Sequence, residues 1–392
     1  MALVGERFDG HNFVEAAVSG GAAALLVQRL FAAKLSRRFP GVLVVGVEDT
    51  LYALGELARI ARRGDERPLI AITGSAGKTS TRAACVQAIE AGGGRVHSQV
   101  GNENNRIGVP RFLLNLPAQD DGSVIVAECG TSEPGEIGRL GAICRPDVAI
   151  ITEVCAAHTE LLIDEDGVAH EKGDLLRAPG QAMAVAVIHD DPRLARAAAD
   201  GGRRIAELVA AGDSPAWEQA PEHLRRNARK VLTAIAAIGL DAPDESALWQ
   251  PERGRGGSIE IGERTIIDDS YNANEASMRA ALDAAAAQAG DRPLVALLGE
   301  MRELGDTALE THQAVGAYAG EVGAKIAWFT GPYADQAAVA AQAAGCARVS
   351  AAPDASDLLN KIGELPARAL ILVKGSRGAR MERLIAAMED LA

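Results

Sequence analysis

The chain has 392 residues, 48% hydrophobic and 24% charged, with only 3% aromatic residues. That balance excludes collagen-like, disordered and disulfide-stapled classes, and predicts two or three globular domains with cores of Ala, Val, Leu and Ile. A net charge of −13, from 40 basic and 53 acidic residues, excludes a general nucleic-acid binder, and any anionic substrate must be held by local cations or metal against the overall field.

The first ten residues, MALVGERFDG, lack a basic segment followed by an apolar one, so no signal peptide is expected. No apolar run approaches the roughly 20 residues that span a bilayer. Five scattered cysteines (Cys85, Cys129, Cys144, Cys155 and Cys346) form no CxxC pair; they suit a reducing cytoplasm and read as small buried apolar side chains. A cytoplasmic protein is expected.

Residues 1–66 contain AALLV and GVLVVGV, two short apolar runs that read as buried strands, and the helical pattern LYALGELARIARR, with Asp49 or Thr50 as its N-cap. The polar segment GDERP (64–68) reads as a linker. From residue 69 the pattern becomes strand, glycine turn, helix: LIAIT, GSAGKT, STRAACVQAIEAG. SVIVAE, DVAIITEV and AMAVAVI are further strand candidates separated by helical stretches, an alternation that implies a mostly parallel sheet covered by helices. Residues 195–226 offer only helix and loop, and residues 215–240 read as one long helix interrupted near Pro221. A third unit opens near residue 253 with ERGRGGS, continues through SIEIG and RTIIDDS, and alternates the strands PLVALLG, AKIAWFTG and ALILVKG with helices.

The segment IAITGSAGKTS (70–80) is the most chemical feature. Backbone N–H groups of such a loop converge on phosphate oxygens, and the helix that follows adds the positive end of its dipole. Gly74, Ser75, Ala76, Gly77, Lys78, Thr79 and Ser80 are the candidate nucleotide residues, with Lys78 neutralising phosphate charge and the Thr79 hydroxyl reaching Mg²⁺. A bare GKT arises by chance; the strand before it and the helix after it favour nucleotide binding over a plain turn.

Several motifs together resemble the Mur ligases, which join an amine to a carboxylate using ATP, and most closely their MurF branch. They are TGSAGKTS, GERFDGHNF (5–13), GNENNRIGVP (101–110), VAECGTSEPGEIG (126–138), DDSYNANEASMRAAL (268–282), LLGEMRELG (297–305) and LVKGSRGARME (372–382). The resemblance covers most of the chain. It implies an α/β protein of three domains: a truncated N-terminal α/β substrate domain (1–66), a central P-loop ATPase domain with a mostly parallel sheet (67–252) and a C-terminal Rossmann-like ligase domain (253–392). It also implies the chemistry, in which a carboxylate becomes an acyl phosphate, an amine displaces phosphate, and ADP and phosphate leave. The expected partners are a small-molecule carboxylate and amine, with ATP and two Mg²⁺ ions.

The family also suggests roles for single residues. Glu128 matches its Mg²⁺-binding glutamate. His158 matches the histidine that binds a second Mg²⁺, and Lys172, fourteen residues later, matches a lysine that is carbamylated by CO₂. Lys78, Glu128, His158 and Lys172 form the expected catalytic set. Asn227 in LRRNARK matches an adenine-binding helix start, where Arg226 replaces the usual histidine and Lys230 a second asparagine. Arg255 and Asp269 match residues reaching ATP from the C-terminal domain, which implies domain closure. Asn104, Asn105, Arg106, Tyr271, Asn272, Asn274, Lys374, Ser376 and Arg377 match the substrate side.

The sequence departs from the family pattern in three places. The N-terminal segment before GERFDGH and a set of strands after IHDDPRL are shorter than usual. Ser132 and Glu133 stand where Asn-His is common, and Arg106 replaces an acid. These changes spare the ATP residues and fall on the segments that read the substrate. The sequence therefore suggests a MurF-type ligase acting on a smaller, different carboxylate in specialised metabolism. The alternatives are the cell-wall step itself, adding D-alanyl-D-alanine to UDP-N-acetylmuramoyl-tripeptide, and a non-catalytic nucleotide-binding subunit.

Overall fold

The structure is a computed structural model. It describes the chain except residues 6–7, 102, 118–121, 156–163, 180–183, 210–221, 242–253, 303 and 392. Among the described residues no helix is long and apolar enough to cross a membrane. The five cysteines form no disulfide; all are buried except the half-buried Cys155.

The chain opens on a small α/β layer. Helices α1 (Val14–Ser19) and α2 (Arg29–Arg38) accompany a two-stranded parallel sheet, β1 (Ala24–Gln28) and β2 (Leu43–Val47). Helix α3 (Thr50–Arg63) follows, capped by Asp49, whose carboxylate accepts from the N–H groups of Leu51 and Tyr52. Its apolar face holds Leu54 and Ala58 out of water.

The central sheet has strand order β4-β5-β3-β6-β7-β8, all parallel. The strands are β3 (Leu69–Thr73), β4 (Arg95–Ser98), β5 (Ser123–Glu128), β6 (Val148–Ile151), β7 (Val185–Val187) and β8 (Arg204–Ile205). Every residue of β3, β5, β6 and β7 is buried, because helices cover both faces. Those helices are α4 (Lys78–Ala91), α5 (Gly108–Leu114), α6 (Glu136–Cys144), α7 (Glu165–Arg177), α8 (Pro192–Asp200) and α9 (Glu222–Ala237). Residues 195–226 thus hold more than helix and loop, since β8 extends the sheet by one short edge strand. The helix expected over 215–240 is described from Glu222, and its beginning near Pro221 lies outside the described residues.

The C-terminal sheet is mixed, in the order β13-β12-β11-β14-β10-β9, with only β9 antiparallel to its neighbour. Its strands are β9 (Gly257–Ile261), β10 (Arg264–Asp269), β11 (Leu294–Leu298), β12 (Ile326–Thr330), β13 (Arg348–Ala352) and β14 (Leu370–Lys374). They are joined by α10 (Glu275–Ala289), α11 (Ala308–Glu321) and α12 (Ala334–Ala343), and α13 (Glu382–Asp390) closes the chain. The fold is α/β throughout, with a parallel-sheet central domain and a mixed-sheet C-terminal domain. In open sheets of this kind ligands bind outside the carboxyl ends of the strands, and most of the expected site residues lie at those ends.

Candidate active site

The phosphate loop begins where β3 ends. Gly74 (φ +148°) and Gly77 (φ +78°) take backbone shapes that side chains disfavour. Space forbids a side chain as well: a Cβ at Gly74 would lie 2.0 Å from Thr152 Oγ1, and one at Gly77 would lie 2.6 Å from Asn227 Nδ2. The loop is tied to the strand beside it. The Ser75 N–H donates to Glu153 O (2.7 Å), the Ser75 hydroxyl donates to Cys155 O (2.9 Å), and the Thr152 hydroxyl donates to Ala76 O (2.6 Å). Lys78 opens α4 and its ammonium donates to Gly74 O (2.7 Å) and Ser75 O (3.3 Å). Ser80 lies in the first turn of α4.

Glu128, the last residue of β5, is 2% exposed. Its carboxylate accepts from the Thr79 hydroxyl (2.7 Å) and the Asn104 amide (2.8 Å), and Arg82 Nε lies 3.4 Å away. A hydroxyl and a carboxylate thus share one corner at the helix start. Magnesium is held this way, by one or two carboxylates plus phosphate oxygens and water, rather than by a protein cage. The adjoining Thr79 hydroxyl and Glu128 carboxylate are donors of the type that would hold such an ion; among the described residues no group of three or more His, Cys, Asp or Glu gathers. His158, expected at a second Mg²⁺, lies outside the described residues.

Two residues missed in the sequence brace this corner. The Gln99 side chain accepts from the Glu128 N–H (2.6 Å) and donates to Glu128 O and Glu103 O (3.0 Å each). Arg82 donates to Gln99 O. Nothing in the local sequence marks Gln99, because its partner is 29 residues away; Arg82, four residues after Lys78, was readable only as a helix cation.

Lys172 is completely buried on α7. Its Nζ has no hydrogen-bond partner among the described residues. Burial, and then the nearby charge of Lys78, push it down to about 7, against the pull of Glu171 and Glu136. A buried lysine that loses its proton near neutrality is a nucleophilic amine, the form that adds CO₂. The Lys172 amine therefore has the reactivity that carbamylation requires.

The substrate-side residues divide. Asn104 reaches Glu128, whereas the Asn105 carboxamide oxygen accepts from the N–H groups of Ile107 and Gly108 at the start of α5. Arg106 pairs with Glu133 (3.0 Å) and Glu136 (2.7 Å). On α9, Asn227 meets Gly77, and Arg226 pairs with Glu153 (3.1 Å).

A second cluster forms at the carboxyl edge of the C-terminal sheet. Asp269 and Lys374, placed at different substrates by the sequence reading, face each other across β10 and β14 and pair at 2.5 Å. Lys374 also donates to Asn272 O (2.9 Å). The Arg255 guanidinium lies 3.8 Å from the Tyr271 ring centroid and that of Arg377 5.8 Å, so one ring carries two cations. The Asn272 carboxamide accepts from the Ala273 N–H, and that of Asn274 caps α10 by accepting from the Ser277 N–H. The Ser376 hydroxyl accepts from the Arg302 N–H. Asn274 and Ser376 thus shape the loops that present their neighbours.

Comparison with known proteins agrees with this geometry. Residues 72–233 match the Mur ligase middle domain and residues 254–377 the Mur ligase, glutamate ligase domain. The UDP-N-acetylmuramoyl-tripeptide–D-alanyl-D-alanine ligase of Escherichia coli is 32% identical, over 100% of this chain and 90% of its own. That of Bacillus subtilis is 30% identical, over 98% and 89%. A crystal structure of MurF from Acinetobacter baumannii superposes with a TM-score of 0.84 at 28% identity, covering 99% of this chain and 90% of that one. MurF of Thermotoga maritima shares the fold, with a TM-score of 0.83 at 22% identity. The chain belongs to the Mur ligase family, is most like MurF, and is an ATP-dependent, ADP-forming ligase.

Proposed function

We propose that the chain joins D-alanyl-D-alanine to UDP-N-acetylmuramoyl-tripeptide. The observation that carries this is the reach of the similarity, which runs through 100% of the chain and 90% of the Escherichia coli enzyme instead of stopping at the ATP domain. The local departures that suggest a smaller acid weigh less once placed. Arg106, standing for an acid, is neutralised by Glu133, which itself stands where histidine is common. The charge inversion closes within the protein and leaves no altered charge for a ligand to match.

In this reading the loop from Gly74 to Ser80 holds the triphosphate, with Lys78 leaving the Gly74 and Ser75 carbonyls for phosphate oxygens. Thr79 and Glu128 would hold Mg²⁺, which supplies charge neutralisation on the transferring phosphoryl group. An oxygen of the tripeptide carboxylate attacks the γ-phosphorus and ADP leaves. The amine of D-alanyl-D-alanine attacks the acyl carbon, loses a proton, and phosphate departs with one former carboxylate oxygen. Asn104 and Gln99 keep Glu128 in place while this happens. Lys172 is the residue we assign to carbamylation, and Asn227 and Arg255 to the nucleotide. Asp269 and Lys374 act as one paired unit on the C-terminal side.

Incubation with ATP, Mg²⁺, the UDP-tripeptide labelled with ¹⁸O in its reacting carboxylate, and D-alanyl-D-alanine should give the ligated mass, ADP and ¹⁸O-labelled phosphate in equal amounts. ATP turnover with unlabelled phosphate, or turnover indifferent to the dipeptide, would sink the reading.

A further inference from the structure

Lys230 on α9 is 1% exposed, and no step above uses it. Among the described residues its ammonium has two acceptors, both carbonyls: Ile151 O (2.9 Å) and Thr152 O. Burial pushes it down to about 8, so it still carries its proton at pH 7. Keeping a buried ammonium that is hydrogen-bonded to carbonyls, with only the Glu153 charge to favour it from nearby, is costly.

Both acceptors lie at the carboxyl end of β6, the strand beside β3. Thr152 is the wall of the phosphate loop. Its N–H donates to Thr73 O (2.8 Å), its hydroxyl donates to Ala76 O (2.6 Å), and that hydroxyl fills the space that a Gly74 side chain would need. The next residue, Glu153, receives the Ser75 N–H and pairs with Arg226. Helix α9 therefore grips this wall twice, through Arg226 and Lys230 four residues apart, while Asn227 between them touches Gly77. Carbonyl ends carry partial negative charge, which disfavours a triphosphate nearby. An ammonium bonded to two of them cancels that charge and fixes their direction.

We propose that Lys230 is a positioning residue for the nucleotide: it holds the Ile151 and Thr152 carbonyls so that the Thr152 hydroxyl keeps the loop in its phosphate-binding shape. The proposal rests on the reading that this loop binds ATP.

The test is calorimetric binding of ADP with Mg²⁺ to the full chain, to Lys230→Met, to Thr152→Val and to the double variant. Each single change should weaken ADP about tenfold, and the double about tenfold as well, because both break the same link. The KM for ATP should rise in each, with the KM values of the other two substrates unchanged. Wild-type ADP affinity in Lys230→Met overturns the proposal, as does multiplication of the two losses in the double variant or an equal rise in every KM. If Lys230→Met does not fold, wild-type affinity in Thr152→Val overturns it alone, and weakened affinity there with an unchanged KM for the dipeptide supports it. A wild-type chain that binds no ADP would overturn the nucleotide reading and this proposal with it.

Discussion

A buried amine with no hydrogen-bond partner among the described residues must show itself in the pH dependence of stability. Burial, and then the Lys78 charge, push Lys172 down to about 7 in the folded chain from its ordinary 10.5. Between those values the unfolded chain binds the extra proton, so stability rises with pH across that window. Below pH 7 the folded state carries the full cost of the buried charge, on the order of a few kcal/mol. Lys172→Met should therefore be more stable than the wild type at pH 6 in CO₂-free buffer, by a few kcal/mol, with the difference closing toward pH 10. Urea denaturation at pH 6, 8 and 10 measures it; a gap of constant size would mean that Lys172 keeps an ordinary pKa. At this scale the sequence was informative about types and blind to partners. Lys78, Thr79 and Glu128 are legible because a strand, a glycine turn and a helix fix them locally. The pairing of Arg106 with Glu133, 27 residues apart, is not, and each read alone looks like a departure that calls for a different substrate.

Elements were legible where burial is complete. The strands β3, β5, β11, β12 and β14 are buried at every position and stand out as unbroken apolar runs. Sequence reasoning missed β4, β8 and β13, and each is an edge strand of its sheet, β4 and β13 largely half-exposed and β8 exposed, with polar residues in all three (RVHS, RI, RVSAA). An edge strand needs only one partner and one covered face, so no apolar run marks it. Helix α6 shows the converse, an element held by a distant side chain. The Glu171 carboxylate on α7 accepts from the N–H groups of Gly135 (2.6 Å) and Ile137 (2.9 Å), and the Thr131 hydroxyl lies 3.3 Å away. These are unpaired donors at a helix N-terminus, where a carboxylate also meets the positive end of the dipole. Glu171→Ala should cost about 2–3 kcal/mol, read as a lower urea midpoint at unchanged slope. A midpoint within error of the wild type would show that water replaces the carboxylate at no cost.

The whole molecule poses a question of size. Among the described residues the first layer, up to Val47, fully buries only Ala2, Val14, Leu25 and Val27 of its hydrophobic side chains, packs half-buried ones such as Phe31 and Leu35 against them, and leaves Phe8, Phe13, Leu30 and Leu43 exposed. A two-stranded sheet on so small a core is not independently stable. Helix α3 supplies the missing support, because it packs on α5 and α6 of the central domain. Gly55 lets it approach Ile143, and Arg139 stacks on the Tyr52 ring at 4.5 Å. Arg62 locks its last turn: fully buried, it donates to Cys144 O (3.0 Å), to Asp65 O and to Asp147 (3.3 Å). Asp147 in turn accepts from the N–H of Leu69, the first residue of β3 (2.8 Å). Removing the guanidinium takes from Asp147 its paired cation, leaving only the more distant charge of Arg203, and leaves two carbonyls without their donor, so Arg62→Leu should cost about 3 kcal/mol. The loss should be uneven. The phosphate loop lies at the opposite end of β3 from this lock, so ADP affinity should stay within about twofold of the wild type. Amides of β1 and β2 should exchange hydrogen faster while those of β3 and β5 keep most of their protection. Uniform acceleration across all three sheets, or a parallel fall in ADP affinity, would show that the first layer is not the part that Arg62 secures.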